Sequence, residues 1–173
     1  MKHSAIRGIT YAALIAALYA ALTLALWQFS ALMIQVRLSE ALCILPFFTP
    51  AAIPGLTIGC LLANLLAGNP WDALFGTLAT LLSAVCTYLI GKKWGEKARW
   101  LLPLPAVFWN TLIIPFVLYY AYGYQSVLQF TDAWAVLLLY ALSLFIGQSI
   151  ACYGVGMPLY FTLKRLNRSN HLF

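Results

Sequence analysis

Residues 41–71 read ALCILPFFTPAAIPGLTIGCLLANLLAGNPW, a stretch without one charged side chain. A run this long and apolar belongs in lipid, because a spanning helix needs about 20 such residues. Pro46, Pro50 and Pro54, with Gly55, break it near the middle, since proline has no amide proton to give a helix interior. The stretch therefore holds either two short crossings or a re-entrant hairpin. Two crossings predict six membrane-spanning helices in the chain, and a hairpin predicts four with the same sidedness.

The rest of the chain has the same character. Of 173 residues, 64% are hydrophobic and 8% charged, whereas a soluble domain carries charge at about 25% of positions. Mean hydropathy is +0.88. Besides 41–71, uncharged windows run over 8–36, 73–91, 100–131 and 133–163. Continuous apolar runs of this length specify helices, because strands of a membrane barrel would alternate in polarity over about ten residues. The expected fold is an all-α integral membrane protein, a single transmembrane domain over 1–173. Its spans are expected near 8–29, 38–50, 52–67, 73–91, 102–121 and 133–163.

Charge placement supplies the topology. Lys92, Lys93, Lys97 and Arg99 form one basic loop, and Lys164, Arg165 and Arg168 a basic tail. The positive-inside rule puts both in the cytoplasm with Lys2 and Arg7. The run from Gly8 to Trp27 exceeds the 7–15 apolar residues of a secretory signal, so it reads as a retained helix. For Lys92 to return inside, 41–71 must cross twice or not at all. Two crossings leave both termini cytoplasmic, with nine basic and one acidic residue inside against one basic and three acidic residues outside. The fit is tight, because fifteen α-helical residues reach only about 22 Å against a hydrocarbon core of about 30 Å. The two helices are short, or 36–40 extends the first.

Several chemistries lack their materials. Cys43, Cys60, Cys86 and Cys152 are widely spaced without a CxxC, and read as small core residues. His3 and His171 lie in the terminal tails, far in sequence from any acid. The chain has no GxxxxGK[ST] loop. Neither an enzyme nor a metal, cofactor or nucleic-acid partner is expected.

Two polar or small-residue patterns remain. Ala12, Ala16 and Ala20 form one row on the first helix, and Ala13, Ala17, Ala21 and Ala25 a second. Small residues let helix backbones approach closely in lipid, so this face serves either the chain's own bundle or a partner membrane protein. Toward the outer side lie Arg37 and Glu40, then Asn64, Asn69, Trp71 and Asp72, then Tyr119, Tyr120, Tyr122, Tyr124, Gln125, Asp132 and Trp134. Asn64, Asn110 and Gln148 fall inside apolar windows, where polar groups mark function. The plain alternatives are an interfacial aromatic belt, a solvated Arg37–Glu40 ion pair and a dipole-stabilising Asp72.

The run VRLSEAL over 36–42, LPFF over 45–48, GLTIGCLLANL over 55–65 and DALFGTLAT over 72–80 resembles the QueT family. The likeness continues through Asn110 to Gly147-Gln148 and GMPLY over 156–160. That family comprises substrate-binding S components of energy-coupling factor (ECF) importers, assigned to queuosine precursors. The resemblance implies a six-helix S-component bundle in the bacterial cytoplasmic membrane with an outward-opening pocket. It also implies that Ala12, Ala13, Ala16, Ala17, Ala20 and Ala21 dock on a transmembrane coupling protein of EcfT type, driven by two cytoplasmic ATPases.

A 7-deazaguanine ring offers two adjacent N–H donors beside a carbonyl, which a carboxylate and an amide or guanidinium can meet. Glu40 or Asp72 suits the first role. Arg37, Asn64 or Asn110 suits the second, with Trp71 or a tyrosine such as Tyr119 stacking on the ring. The family's Gly-Glu is Gly147-Gln148 here, removing a charge that a cationic substituent would want. Other readings in the same frame are an S component for riboflavin or thiamine, or a structural membrane subunit without cargo.

Overall fold

The computed structural model describes residues 2–26, 37–121 and 133–170. Residues 27–29 of the first expected span, and Tyr122, Tyr124, Gln125 and Asp132, lie outside the described residues. The described residues are 92% helical, in six main segments and a 3-10 stretch, Gly95–Leu101, between the fourth and fifth. The main segments are α1 (Lys2–Ala25), α2 (Leu38–Phe47), α3 (Ala52–Leu66), α4 (Thr77–Trp94), α5 (Leu104–Phe116) and α6 (Ala133–Ser149). Helix α6 continues through a π-helical turn, Ile150–Val155, into Gly156–Asn170. A π turn at Asp72–Gly76 opens α4 and another at Val117–Ala121 closes α5. By length and composition, Ile6–Ala25, Asp72–Leu101, Leu104–Ala121 and Ala133–Arg168 can each cross a membrane.

The proline-broken window folds as two short helices, and the first of them is a 3-10 helix with Pro46 inside it. At about 2.0 Å rise per residue, its ten residues extend about 20 Å, against about 15 Å for an α-helix of equal length. The tighter winding thus relieves part of the shortage of residues. Its poorer hydrogen bonding is tolerated because Ser39–Pro46 are all buried. Helix α2 packs on α1, α3, α4, the π turn Ile150–Val155 and the Gly156–Asn170 helix that follows it. Irregular backbone at membrane depth survives only where protein covers it.

Helix α1 lies at the periphery, with 17% of its apolar window buried inside the molecule. It packs chiefly along α3, and glycines set the spacing. A Cβ on Gly55 would lie 2.8 Å from the carbonyl oxygen of Ala12, and one on Gly59 would lie 2.8 Å from that of Ala16. Ala16 is buried there and Ala12 half-buried, whereas Ala13, Ala17 and Ala21 are exposed. The alanine rows therefore divide: one turns inward onto glycine, the other faces out.

The charged loop and tail meet at one end of the bundle. Lys164 Nζ is 2.6 Å from Glu96 Oε2, and the Tyr153 hydroxyl donates to the Trp100 carbonyl. Phe47 meets Tyr160 at a tilt and packs on Gly91, and Arg7 lines the same groove as Phe48. Gly95, with φ +56, ends α4 in a conformation that glycine adopts without a Cβ penalty.

Enlarging Gly59 should separate α1 from α3. Gly59→Leu is expected to lower the thermal stability of the detergent-solubilised protein by the equivalent of about 1–3 kcal/mol, the usual range for overpacking. Gly8→Ala, where an added Cβ has nothing within 4 Å, should leave it unchanged. Fluorescence-detected gel filtration after heating compares the two.

Candidate functional site

Polar side chains that the sequence scatters over five helices are buried together in the bundle. Arg37 precedes α2 in an extended conformation, φ −95 and ψ 95, so it does not follow the helical spacing to Glu40. Its Nη2 instead reaches Asp72 Oδ2 at 2.9 Å, with the two side chains only 9% and 7% exposed. This replaces the solvated Arg37–Glu40 pair of the plain sequence reading with an ion pair between the start of α2 and the π turn before α4. Asn64 on α3 completes the group: its Nδ2 donates to the Asp72 carbonyl at 3.3 Å and to the Cys60 carbonyl at 3.0 Å. Gly76 makes room, since a Cβ there would lie 3.7 Å from Asn64 Nδ2, 3.8 Å from Arg37 Nη1 and 3.9 Å from Ile114 Cδ1.

Glu40 occupies a second, connected group. It is 1% exposed, and both carboxylate oxygens accept hydrogen bonds, Oε1 from Tyr19 Oη at 2.6 Å and Oε2 from Cys43 Sγ at 2.9 Å. Cys152 Sγ lies 3.6 Å from the Glu40 carbonyl and 3.8 Å from Gln148 Oε1. Thr23 donates to Ser39 Oγ at 2.8 Å, binding α1 to α2 a turn further on. Tyr19, Thr23, Ser39 and the cysteines were not singled out from sequence as site residues. A signal existed for the first two, since Ala12, Ala16, Tyr19 and Thr23 share one helical face by their 4-3-4 spacing.

Asn110 and Gln148 fall at one level of the bundle. Ala106 and Val107 of α5 share an apolar cluster with Cys152, while Ile114 and Leu118 share another with Leu144. Asn110 lies between the former pair and Ile114, and Gln148 between Leu144 and Cys152, so antiparallel α5 and α6 carry both amides between the two clusters. Each is 0% exposed. Among the described residues, Asn110 Oδ1, Gln148 Nε2 and Asp72 Oδ1 have no hydrogen-bond partner. Two of the three π turns belong to this polar set, containing Asp72 and Gly76 in one and Cys152 in the other, while the third, with Tyr119, lies beyond the Ile114–Leu118 cluster. Such turns recur at functional sites because they re-aim side chains within a helix.

Two candidates stand apart from the buried layer. Trp71 is 46% exposed and stacks on Phe75, with ring centroids 6.3 Å apart. Tyr119 is half-buried and meets Tyr120 edge to face. A separate groove of about 1020 Å³ opens between α1 and the turn leading into α3, lined by Arg7, Tyr11, Ala13, Ala17, Pro50 and Ile58 among others. It runs along both alanine rows of α1, at Ala12, Ala13, Ala16 and Ala17, rather than at the polar layer.

The buried ion pair should behave as a unit. Removing one partner of such a pair typically costs about 3–5 kcal/mol, whereas replacing both with apolar groups is far milder. Arg37→Met alone is expected to destabilise the protein more than Arg37→Met with Asp72→Leu, and thermal unfolding of the single and double variants in one detergent measures the difference.

Residues 9–165 match the family described as QueT transporter. The chain is also 35% identical over 102 residues to the queuosine precursor transporter QueT of Lactococcus lactis subsp. cremoris (strain MG1363). That alignment spans 58% of this chain and 60% of the relative. No solved structure matches the chain. The family is one of transporters, not enzymes, which accords with a multi-pass bundle of apolar helices around a buried polar layer. With nearly the whole chain inside the family match, the protein belongs to the QueT transporter family.

Proposed function

We propose that this chain is the substrate-binding S component of an ECF-type importer. It binds a queuosine precursor of 7-deazaguanine type from outside and docks on a shared, ATP-driven coupling module. The observation that carries the reading is the buried layer of directional polar groups between two apolar clusters, in a member of a transporter family. Hydrogen-bonding groups held in a dry interior suit a small planar ligand rich in donors and acceptors. The relative's queuosine precursor supplies the substrate class.

In this reading Arg37, Glu40, Asn64, Asp72, Asn110 and Gln148 form the recognition layer. Trp71, next to Asp72, and Tyr119 contribute aromatic faces at its margin. The basic end, where Glu96 meets Lys164, is cytoplasmic by the positive-inside rule, which puts both termini in the cytoplasm of a bacterial cell membrane. The outward row Ala13, Ala17 and Ala21, beside Ala12, Ala16 and Ala20, is the docking face for an EcfT-type coupling protein with its two ATPases.

Two experiments test these statements. Equilibrium binding of 7-deazaguanine-type precursors to the purified, detergent-solubilised chain should be tight without any partner, while guanine, riboflavin and thiamine bind weakly. Preferential binding of riboflavin or thiamine would keep the transporter class and discard the substrate. Separately, Ala13→Leu with Ala17→Leu should abolish co-purification with the coupling module and leave ligand affinity within about twofold. Retained co-purification would sink the docking assignment.

A further inference from the structure

Within the recognition layer, the hydrogen bonds already made distinguish groups that hold the site from groups left to meet a ligand. Glu40 has both oxygens accepting from Tyr19 and Cys43, Arg37 is bound to Asp72, and the Asn64 amide nitrogen donates to two carbonyls. Three directional atoms remain without a partner among the described residues: Asp72 Oδ1, Asn110 Oδ1 and Gln148 Nε2. Their residues are 5%, 0% and 0% exposed. The unpartnered hydroxyls nearby, Thr77 and Thr111, can rotate to either role and impose less direction. Leaving a carboxylate oxygen and two amide atoms buried and unmet is costly, and such atoms await a complementary group.

We propose that Asp72 Oδ1 and Asn110 Oδ1 accept the two N–H donors of the ligand ring while Gln148 Nε2 donates to its carbonyl. On this assignment Arg37, Asn64 and Glu40 are positioning residues. Arg37 fixes the Asp72 carboxylate through Oδ2 and leaves Oδ1 free. Asn64 holds the backbone of the π turn that carries Asp72. Glu40, with Tyr19, ties α1 to α2 within the layer. The complement is two acceptors and one donor, which describes a neutral cyclic amide with an exocyclic amino group. This selection of roles rests on the 7-deazaguanine reading and goes further by naming the atom that reads the carbonyl.

The decisive residue is Gln148, because changing it to glutamate converts its donor into an acceptor with little change of shape. Three probes are used: 7-deazaguanine, its analogue with an amino group in place of the 6-oxo group, and its analogue without the 2-amino group. Wild-type protein should prefer 7-deazaguanine over both analogues by more than tenfold. Gln148→Glu should shift the preference toward the 6-amino analogue by at least tenfold. Asn110→Leu should weaken 7-deazaguanine by more than tenfold. Gln148→Met, which removes the donor without adding charge, should reduce the discrimination between oxo and amino forms by at least fivefold, part of it remaining because the 6-amino analogue also lacks the N1 proton that an acceptor reads. Gel-filtration profiles and melting temperatures identify any variant that fails to fold. An unchanged oxo-to-amino preference in folded Gln148→Met and Gln148→Glu, with wild type still binding 7-deazaguanine, would overturn the assignment and leave the proposed function standing. Failure of wild type to bind any of the three would overturn both.

Discussion

The buried pair between Arg37 and Asp72 is the constraint around which the polar layer is organised. An arginine and an aspartate taken out of water together require each other, because either alone would leave an uncompensated charge in a low-dielectric interior. Meeting that demand draws the start of α2 onto the π turn before α4. It also brings α3 in through Asn64, which donates to the backbone of the same turn. Three elements distant in sequence are thereby registered against one another at a single point. Gly76 is part of the same solution, since the space a side chain would fill there is bordered by Arg37, Asn64 and Ile114.

A second set of contacts couples this layer to the outer helix. Tyr19 and Thr23 hydrogen-bond to Glu40 and Ser39, and they share a face of α1 with the alanines seated against Gly55 and Gly59. Ala13 and Ala17, beside that face, are exposed and line a groove that also reaches Ala12 and Ala16. Helix α1 thus touches the polar layer through Tyr19 and Thr23 on one side and faces the surroundings on the other.

Much of this was legible in the sequence, and the unread part has a physical reason. Hydrophobic windows bounded by charges locate helices well, because lipid imposes one requirement on every residue of a span. The polar residues Arg37, Glu40, Asn64, Asp72, Asn110 and Gln148 stood out for the same reason. What the spacing could not convey was pairing. Arg37 and Glu40 are three apart and look like helical neighbours, yet Arg37 precedes the helix and its partner is 35 positions away. Nor could periodicity reveal the 3-10 winding of α2 or the π turns, which shift register by fractions of a turn. Tyr19 passed unremarked because a tyrosine among leucines and alanines looks like lipid-facing surface until its carboxylate partner is known.

The 3-10 winding of α2 has a consequence for how the protein enters the membrane. A segment about 20 Å long is too short to bridge a hydrocarbon core of about 30 Å on its own, and its backbone geometry needs a covering of protein. Helix-by-helix release from the insertion machinery therefore cannot produce the native arrangement of α2. The native depth of Leu38–Phe47 instead depends on the elements packed on it, chiefly α4 and the π turn of α6. The buried polar layer is consequently a property of the whole chain, complete only when the spans that carry its residues have closed around α2.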